Sequence, residues 1–425
     1  MNSSALVLPS SVSWRKLGSH HRFEHYYRLA LLVVITNVMF FLKQTHITSD
    51  WLNFLAIVNI SIAILVRQQY VINLFFNLAT CTKTYLPLVI RWRLGKVYHF
   101  GGLHVGAAIS GTAFFLLFTL SLSQTAWQEG EVSRQLILCW MAIMLLLSMI
   151  VTATPYIRGR YHNVFERTHR FAGWTLLGIF IALQIVKQIH SPTVWYLDVS
   201  NWLVACVAFS ILLPWLRLKK VPVDIEKHSN HAVIAKFDYG MTPFPGSSMA
   251  ISHNPLWEWH SFATIPSPNK TGFRLAISRA GDWTGDFVDN PPKHVWVKGI
   301  ATAGVANIEV LFKRVIYVAT GSGIGPVLPH LLAKQVDMHL IWTTRSPRAT
   351  YGDNLVDEIL QAEPSALIYN TDELGKPDMV SLALDAYQNY NAEAVIVISN
   401  QKLTRKVVYE LECMGIPSFG AIWDS

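Results

Sequence analysis

The sequence predicts an α-helical membrane domain of six transmembrane helices, followed by a cytoplasmic antiparallel β-barrel domain and a doubly wound α/β nucleotide-binding domain. Three observations predict it. Charge is divided unevenly: residues 1–216 hold 16 Lys/Arg and 6 Asp/Glu, residues 217–425 hold 19 and 21, so +10 faces −2. The basic half is also the apolar half, in a chain that is 52% hydrophobic and 15% charged. From about residue 312 the texture changes to continuous apolar runs alternating with helical stretches. These balances exclude disorder and a disulfide scaffold, and they make nucleic-acid binding a poor account of the basic pI.

Crossing about 30 Å of hydrocarbon takes roughly 20 apolar residues. Six stretches qualify, at about 26–44, 50–66, 99–123, 135–154, 168–188 and 194–216, behind an N-terminal segment 1–25. The piece from Val71 to Trp92 is apolar only in patches and holds Lys83 and Pro87, so it reads as an amphipathic interfacial segment, with a seventh span as the alternative. Thirteen basic residues fall on one side, including Arg15, Arg22, Arg91, Arg93, Arg158 and Arg170. Three, Lys43, Arg134 and Lys187, fall on the other. The bias places both termini in the cytoplasm of a multi-pass protein of a plasma or inner membrane, with membrane lipid as a partner. The first apolar run is membrane-length and lacks a small-residue cleavage site, so no removable leader is expected. Cys81, Cys139, Cys206 and Cys413 show no CxxC spacing.

His99 and His104 open the third span, while His162 and His169 lie at the start of the fifth. Imidazoles facing each other from two helices can ligate a haem iron. The plain alternative is a helix-end histidine at the headgroups or on a carbonyl.

Between 217 and 311 the runs HAVIAKF, SMAISH, WEWHSFATI, FRLAISR and HVWVKG are short, β-rich and broken by turn residues, as in an antiparallel barrel. From 312 to 425, RVIYVAT (314–320), MHLIWTT (338–344), ALIYNT (366–371) and AVIVIS (394–399) read as parallel strands buried on both faces. Helices are expected at about 324–335, 352–362, 377–388 and 402–414. The first strand leads into Ala319–Pro326, ATGSGIGP. There Thr320, Gly321, Gly323, Ile324, Gly325 and Pro326 make a strand-to-helix turn whose backbone can approach a pyrophosphate at a helix N-terminus. No Lys-Ser/Thr follows, so it is not a Walker loop. Thr344, Arg345, Ser346 and Arg348 end the second strand, where arginines would meet a 2′-phosphate and favour NADPH over NADH. Solvated loop charges are the alternative there.

A barrel followed by TGxGIGP behind six membrane helices resembles the ferredoxin reductase-type flavoproteins joined to a ferric reductase or NADPH oxidase membrane domain. The strings HFGGLH, SRAGDWT, ATGSGIGP, IWTTRSPRATYGD and FGAIWDS resemble, more closely, the fungal TmpA-type membrane flavoproteins and the reductase tail of some fungal adenylate-forming enzymes. The resemblance implies FAD on the 217–311 domain and NADPH or NADH on the 312–425 domain. It implies that Trp259, His260, Ser261, Phe262, Ala263 and Thr264 form the flavin segment, with Ser261 and Ala263 departing from the family's WHPFT. It likewise implies an FAD pyrophosphate turn at Gly281, Asp282, Trp283 and Thr284. Trp423 would be the terminal aromatic covering the flavin, and Ser399-Asn400 would stand where relatives carry Cys-Gly-Pro.

The resemblance also implies stacked haems, and here the sequence departs further. The positions thirteen and fourteen residues beyond His99, His104 and His169 are Thr112 and Ala113, Leu117 and Phe118, and Ala182 and Leu183. An inner haem on His99 or His104 with His169 stays open; an outer one has no ligands. The leading expectation is a membrane-bound FAD-dependent NAD(P)H oxidoreductase that passes hydride from nicotinamide to flavin and on to an unidentified acceptor at the cytoplasmic side or inner leaflet. A haem-containing transmembrane reductase and a nucleotide-binding membrane sensor are the alternatives.

Overall fold

A computed structural model describes residues 24–189, 194–268 and 270–421. The N-terminal region is helical: α1 (His25–Lys43), α2 (Ser49–Leu65), α3 (Gln69–Thr80), α4 (Leu88–Leu94), α5 (Gly101–Glu129), α6 (Arg134–Thr152), α7 (His162–Ile189) and α8 (Val199–Leu216). Five helical stretches among the described residues are long and apolar enough to cross a membrane. A sixth qualifies only if α2 and α3 count together, and those two are bent by 77°. The expected second span therefore ends at Leu65, where Gln68 accepts the Tyr70 amide and starts a new helix. The last helix begins at Val199 rather than at 194, because Asp198 caps the Ser200 amide and pairs with Lys187 at 2.7 Å.

The HFGGLH motif has a packing cause. A side chain at Gly102 would meet the Tyr26 carbonyl at 2.1 Å, and one at Gly106 the Ala30 carbonyl at 2.6 Å. These glycines let α5 lie directly on the α1 backbone.

The strands β1 (Leu218–Pro222), β2 (Asp224–Lys227), β3 (Ala232–Phe237), β4 (Ser247–Ser252), β5 (His260–Ala263), β6 (Ile265–Pro266), β7 (Phe273–Ser278), β8 (His294–Lys298) and β9 (Thr302–Ala303) follow, with α9 (Asp282–Asp289) before β8. They pair as two antiparallel sheets, β1-β8-β4-β5 with β9 on β4, and β2-β3-β7-β6, rather than as one closed ladder. The chain changes sheet at Thr264, between β5 and β6. A core including Phe237, Met249, Phe273, Leu275 and Phe287 fills the space between them.

The remainder alternates β10 (Arg314–Thr320), α10 (Ile324–Ala333), β11 (Asp337–Thr344), α11 (Asp353–Ala362), β12 (Leu367–Asn370), α12 (Met379–Asn389), β13 (Ala394–Ile398), α13 (Gln401–Cys413) and β14 (Ser418–Gly420). All pairings are parallel, in the order β12-β11-β10-β13-β14. The four expected strands appear with small shifts at their ends; β14 is additional.

The amphipathic segment does more than lie flat. Ile72 and Phe76 of α3 enter the same core as Ile308, Leu311 and Phe312, while Leu74 and Leu78 stay exposed on its opposite face. Asn73 accepts the Ala303 amide at 2.8 Å and donates to the Ala301 carbonyl at 2.9 Å. Buried Arg91 reaches Glu393 and the Leu311 carbonyl, at 2.7 and 2.6 Å. Buried Lys96 donates to the Ser418 carbonyl at 2.7 Å.

Candidate functional site

The parallel sheet grows in opposite directions from β10: β11 lies to one side and β13 to the other. Ligands of open α/β sheets bind beyond the strand C-termini at such a reversal. Thr320 ends β10 and Ser399 follows β13, and their hydroxyls are 2.6 Å apart in that crevice. Gly321 takes φ +53°, a left-handed conformation that favours glycine, and the Trp342 indole donates to its carbonyl at 2.9 Å. A side chain at Gly323 would stand 2.3 Å from the Ile398 carbonyl oxygen. α10 then starts at Ile324 with Gly325 and Pro326 in its first turn, where proline forfeits no helical hydrogen bond. The loop is tied to the antiparallel sheets by Ser322 and Ser278, 2.7 Å apart. Arg274 on β7 adds a two-pronged bond to Glu358 on α11, at 2.9 and 3.0 Å.

The groups after β11 are not equivalent. Thr344 is buried, and Tyr351 lies beneath Gly321 with burial pushing its hydroxyl up to about 12. Arg345 is 74% exposed, its nearest carboxylate, Asp372, 4.0 Å away. Arg348 is held by Asp353 at 2.9 Å and Asp357 at 2.7 Å. Only Arg345 of the two expected arginines extends without a close ion pair. Asn400 caps α13 through the Leu403 amide, at 3.0 Å.

The expected flavin segment is β5 and its flanks, and it is more engaged internally than the sequence suggested. His260 stacks on Trp283 at 4.1 Å, and the Trp283 indole donates to Glu258 at 2.7 Å. Phe262 and His253 flank the same indole at 6.0 and 4.9 Å. Thr264, the last residue of the expected flavin segment, is buried with its hydroxyl 3.0 Å from that of Ser247. Ser261 is exposed. Trp259 donates to the Pro255 carbonyl and carries Lys298 over its ring at 4.4 Å. Burial, then repulsion from Arg170, lowers the Lys298 ammonium to about 8. In the pyrophosphate turn, Thr284 accepts the Ala280 and Gly281 amides at 2.9 and 3.0 Å. The amides left for an anion are those of Asp282, Trp283 and Thr284, in the first turn of α9. His253 Nε2 is buried without a hydrogen-bond partner, His260 Nε2 faces the Glu258 carboxylate at 3.7 Å, and burial holds His260 below its ordinary pKa. An aromatic platform with an orphaned imidazole nitrogen beside a helix N-terminus fits a flavin dinucleotide. Lys298, Glu258 and His253 were missed in the sequence because only pairing across β4, β5 and β8 assembles them.

His104 and His169 line one cavity of about 300 Å³ inside the helical region. His104 Nδ1 lies 2.7 Å from the Ala63 carbonyl, which can only accept, so Nδ1 carries the proton and Nε2 is left over. His99 does not line the cavity; it is buried beside Tyr98 and His25, with ring centroids 4.4 and 5.6 Å away. α7 carries His169 to the antiparallel sheets: Arg170 donates to the Leu256 carbonyl at 3.4 Å, and Phe171 meets Trp257 at 5.5 Å. Trp423 lies outside the described residues.

The model of the C-terminal domain of adenylate-forming reductase 03009 matches residues 305–425. Over 96% of its length the chain is similar to adenylate-forming reductase 03009 of Coprinopsis cinerea, 42% identical over 422 residues. It is also similar to adenylate-forming reductase 06235 of the same organism, 41% identical over 418 residues. The chain spans 41% of the length of each of these curated relatives. Among solved structures, 48% of the chain is similar to a ferredoxin reductase in carbazole 1,9a-dioxygenase, with 14% identity, 69% of that chain and TM-score 0.40. A ferredoxin NADP+ reductase from Neisseria gonorrhoeae with bound FAD and NADP matches the same share, with 14% identity, 99% of that chain and TM-score 0.35.

Proposed function

We propose that this protein is a membrane-bound, FAD-dependent NAD(P)H oxidoreductase. The observation that carries the reading is the glycine turn at the sheet reversal, beside the Thr320–Ser399 pair and bonded through Ser322 to the sheet system that carries the Trp283 platform. Nucleotide crevice and aromatic platform thus adjoin. Gly321–Pro326 would hold the nucleotide pyrophosphate, Arg345 a 2′-phosphate, and Ser399 with Asn400 the edge of the nicotinamide pocket. His260, Trp283 and the first amides of α9 would hold FAD, which supplies hydride acceptance and electron return when bound. Trp423 would shield the ring from water. The apolar helices would anchor the module, with the docked face of α3 turned inward and Leu74 and Leu78 turned to lipid.

A second reading adds haem on His104 and His169. It is favoured by their shared cavity and by the His104 tautomer, which leaves Nε2 for iron. Anaerobic addition of NADPH to detergent-purified protein reconstituted with FAD tests the main reading: flavin absorbance should bleach. Protein that retains no FAD and oxidises neither NADPH nor NADH would return the chain to the class of nucleotide-binding sensors.

A further inference from the structure

The cavity on His104 and His169 is almost wholly apolar; Ser61, Arg170 and those two imidazoles are its polar-side-chain lining apart from the Trp174 indole. His169 precedes Arg170, which reaches the antiparallel sheets at Leu256, and His104 lies in the first turn of α5, just after the segment in which Lys96 bonds to the nucleotide sheet, so the polar groups gather at the end of the cavity nearest the C-terminal module. Toward the opposite end Ile57 and Phe180 form the wall, and both also line a second cavity beyond it. Ile64 and Ile211 line it while remaining half-buried, which leaves an approach from the lipid side. Its volume lies near the lower limit of small-molecule sites, roughly 300–1,000 Å³.

We infer that the cavity binds an isoprenoid quinone, the terminal two-electron acceptor of the enzyme; the inference rests on the oxidoreductase reading above. The chemistry of the wall selects this class. Ring carbonyls need a donor at one end, which His169 supplies through a buried Nδ1 that has no protein partner, beside Arg170 held by Glu166, while the ring and prenyl tail need apolar walls. His104, protonated on Nδ1, presents an Nε2 lone pair that accepts the hydroxyl of the reduced ring. A one-electron carrier here would need a next station. The outer continuation of α5 and α7 offers Thr112, Ala113, Leu117, Phe118, Ala182 and Leu183 at the positions where further haem ligands would stand. A quinone needs no such station, because it accepts both electrons of one hydride. The step balances: NAD(P)H loses a hydride and becomes NAD(P)+, the quinone gains two electrons and two protons, and its two C=O bonds become C–OH. One proton equivalent travels with the hydride and the other comes from solvent.

The test uses full-length protein in detergent, reconstituted with FAD. Ubiquinone-1 reduction by NADPH is followed beside ferricyanide reduction, and an azido-quinone photolabel is mapped to peptides. Gly173 lines the cavity and a Cβ there meets nothing within 4 Å, so Gly173→Phe places a bulky side chain on the cavity wall; a Cβ at Gly178 is equally unobstructed, and Gly178 lies outside the lining. Expected are label on α5 and α7, a loss of at least tenfold in ubiquinone-1 reduction for Gly173→Phe, and wild-type rates for Gly178→Phe. Ferricyanide reduction without quinone reduction or labelling overturns this inference and leaves the oxidoreductase reading standing. Label elsewhere, equal rates in the two variants, or a Soret band with His104 and His169 as ligands also overturns it. Protein that reduces neither acceptor overturns both.

Discussion

At the scale of single residues, close approach and charge pairing separate side chains that look alike in sequence. Arg345 and Arg348 are three positions apart, yet Arg348 is committed to Asp353 and Asp357. Arg345→Ala should raise the KM for NADPH about tenfold and leave that for NADH unchanged, because a charge-assisted bond contributes about 1.5–3 kcal/mol; Arg348→Ala should do much less. Steady-state kinetics with both nucleotides checks the pair. Gly323→Ala forces a methyl onto the Ile398 carbonyl and should cost about 1–3 kcal/mol of stability, together with nucleotide binding. Thermal unfolding and NADPH titration measure the two effects. Lys298 carries a sign that can be worked out. Its ammonium is lowered from 10.5 to about 8, so the unfolded chain binds more protons between those values and stability rises with pH across that window. Lys298→Met should stabilise the protein below pH 8, by on the order of 1–3 kcal/mol, with the gain fading toward pH 10.5. Unfolding midpoints that stay pH-independent in both proteins would contradict this.

At the scale of elements, legibility followed the strength of the local pattern. The strands β10, β11 and β13 are unbroken apolar runs and stood out in the sequence. β14 has three residues, Ser418–Gly420, too few for any periodicity, and exists because β13 offers it an edge and Lys96 holds its carbonyl. The glycine turn was legible from its own spacing. The aromatic platform was legible only in pieces: WEWH and GDWT were visible, but the stacking of His260 on Trp283 and the burial of Thr264 against Ser247 depend on pairing between distant strands. The break between α2 and α3 was legible, since the expected span ends at 66 and the interfacial segment begins at Val71, while the 77° angle between them was not. Their docking yields a prediction at this scale. Arg91→Met takes a donor from the Leu311 carbonyl and from Glu393, which keeps the Lys313 amide, and losing hydrogen bonds of a charged group costs about 1.5–3 kcal/mol. Limited proteolysis should then release the 217–425 module far faster than from wild type, and unchanged cleavage would show that α3 and Asn73 suffice to hold it.

At the scale of the whole molecule, the +10 and −2 halves meet through two joints. One joint is α3, α4 and Lys96 packed on the nucleotide sheet; the other is Arg170, Phe171 and Trp257 between α7 and the antiparallel sheets. The second joint lies between the Trp283 platform and the cavity of His104 and His169, so the route proposed for electrons follows the contacts that hold the halves together. The reduction of bound flavin by NADPH is the step on which that route depends. The most direct measurement is the absorption spectrum of the purified, FAD-loaded protein before and after anaerobic addition of NADPH. The proposal predicts a flavin spectrum that bleaches on addition and recovers with ubiquinone-1, with no haem band; a flavin spectrum that NADPH and NADH both leave unchanged would contradict it.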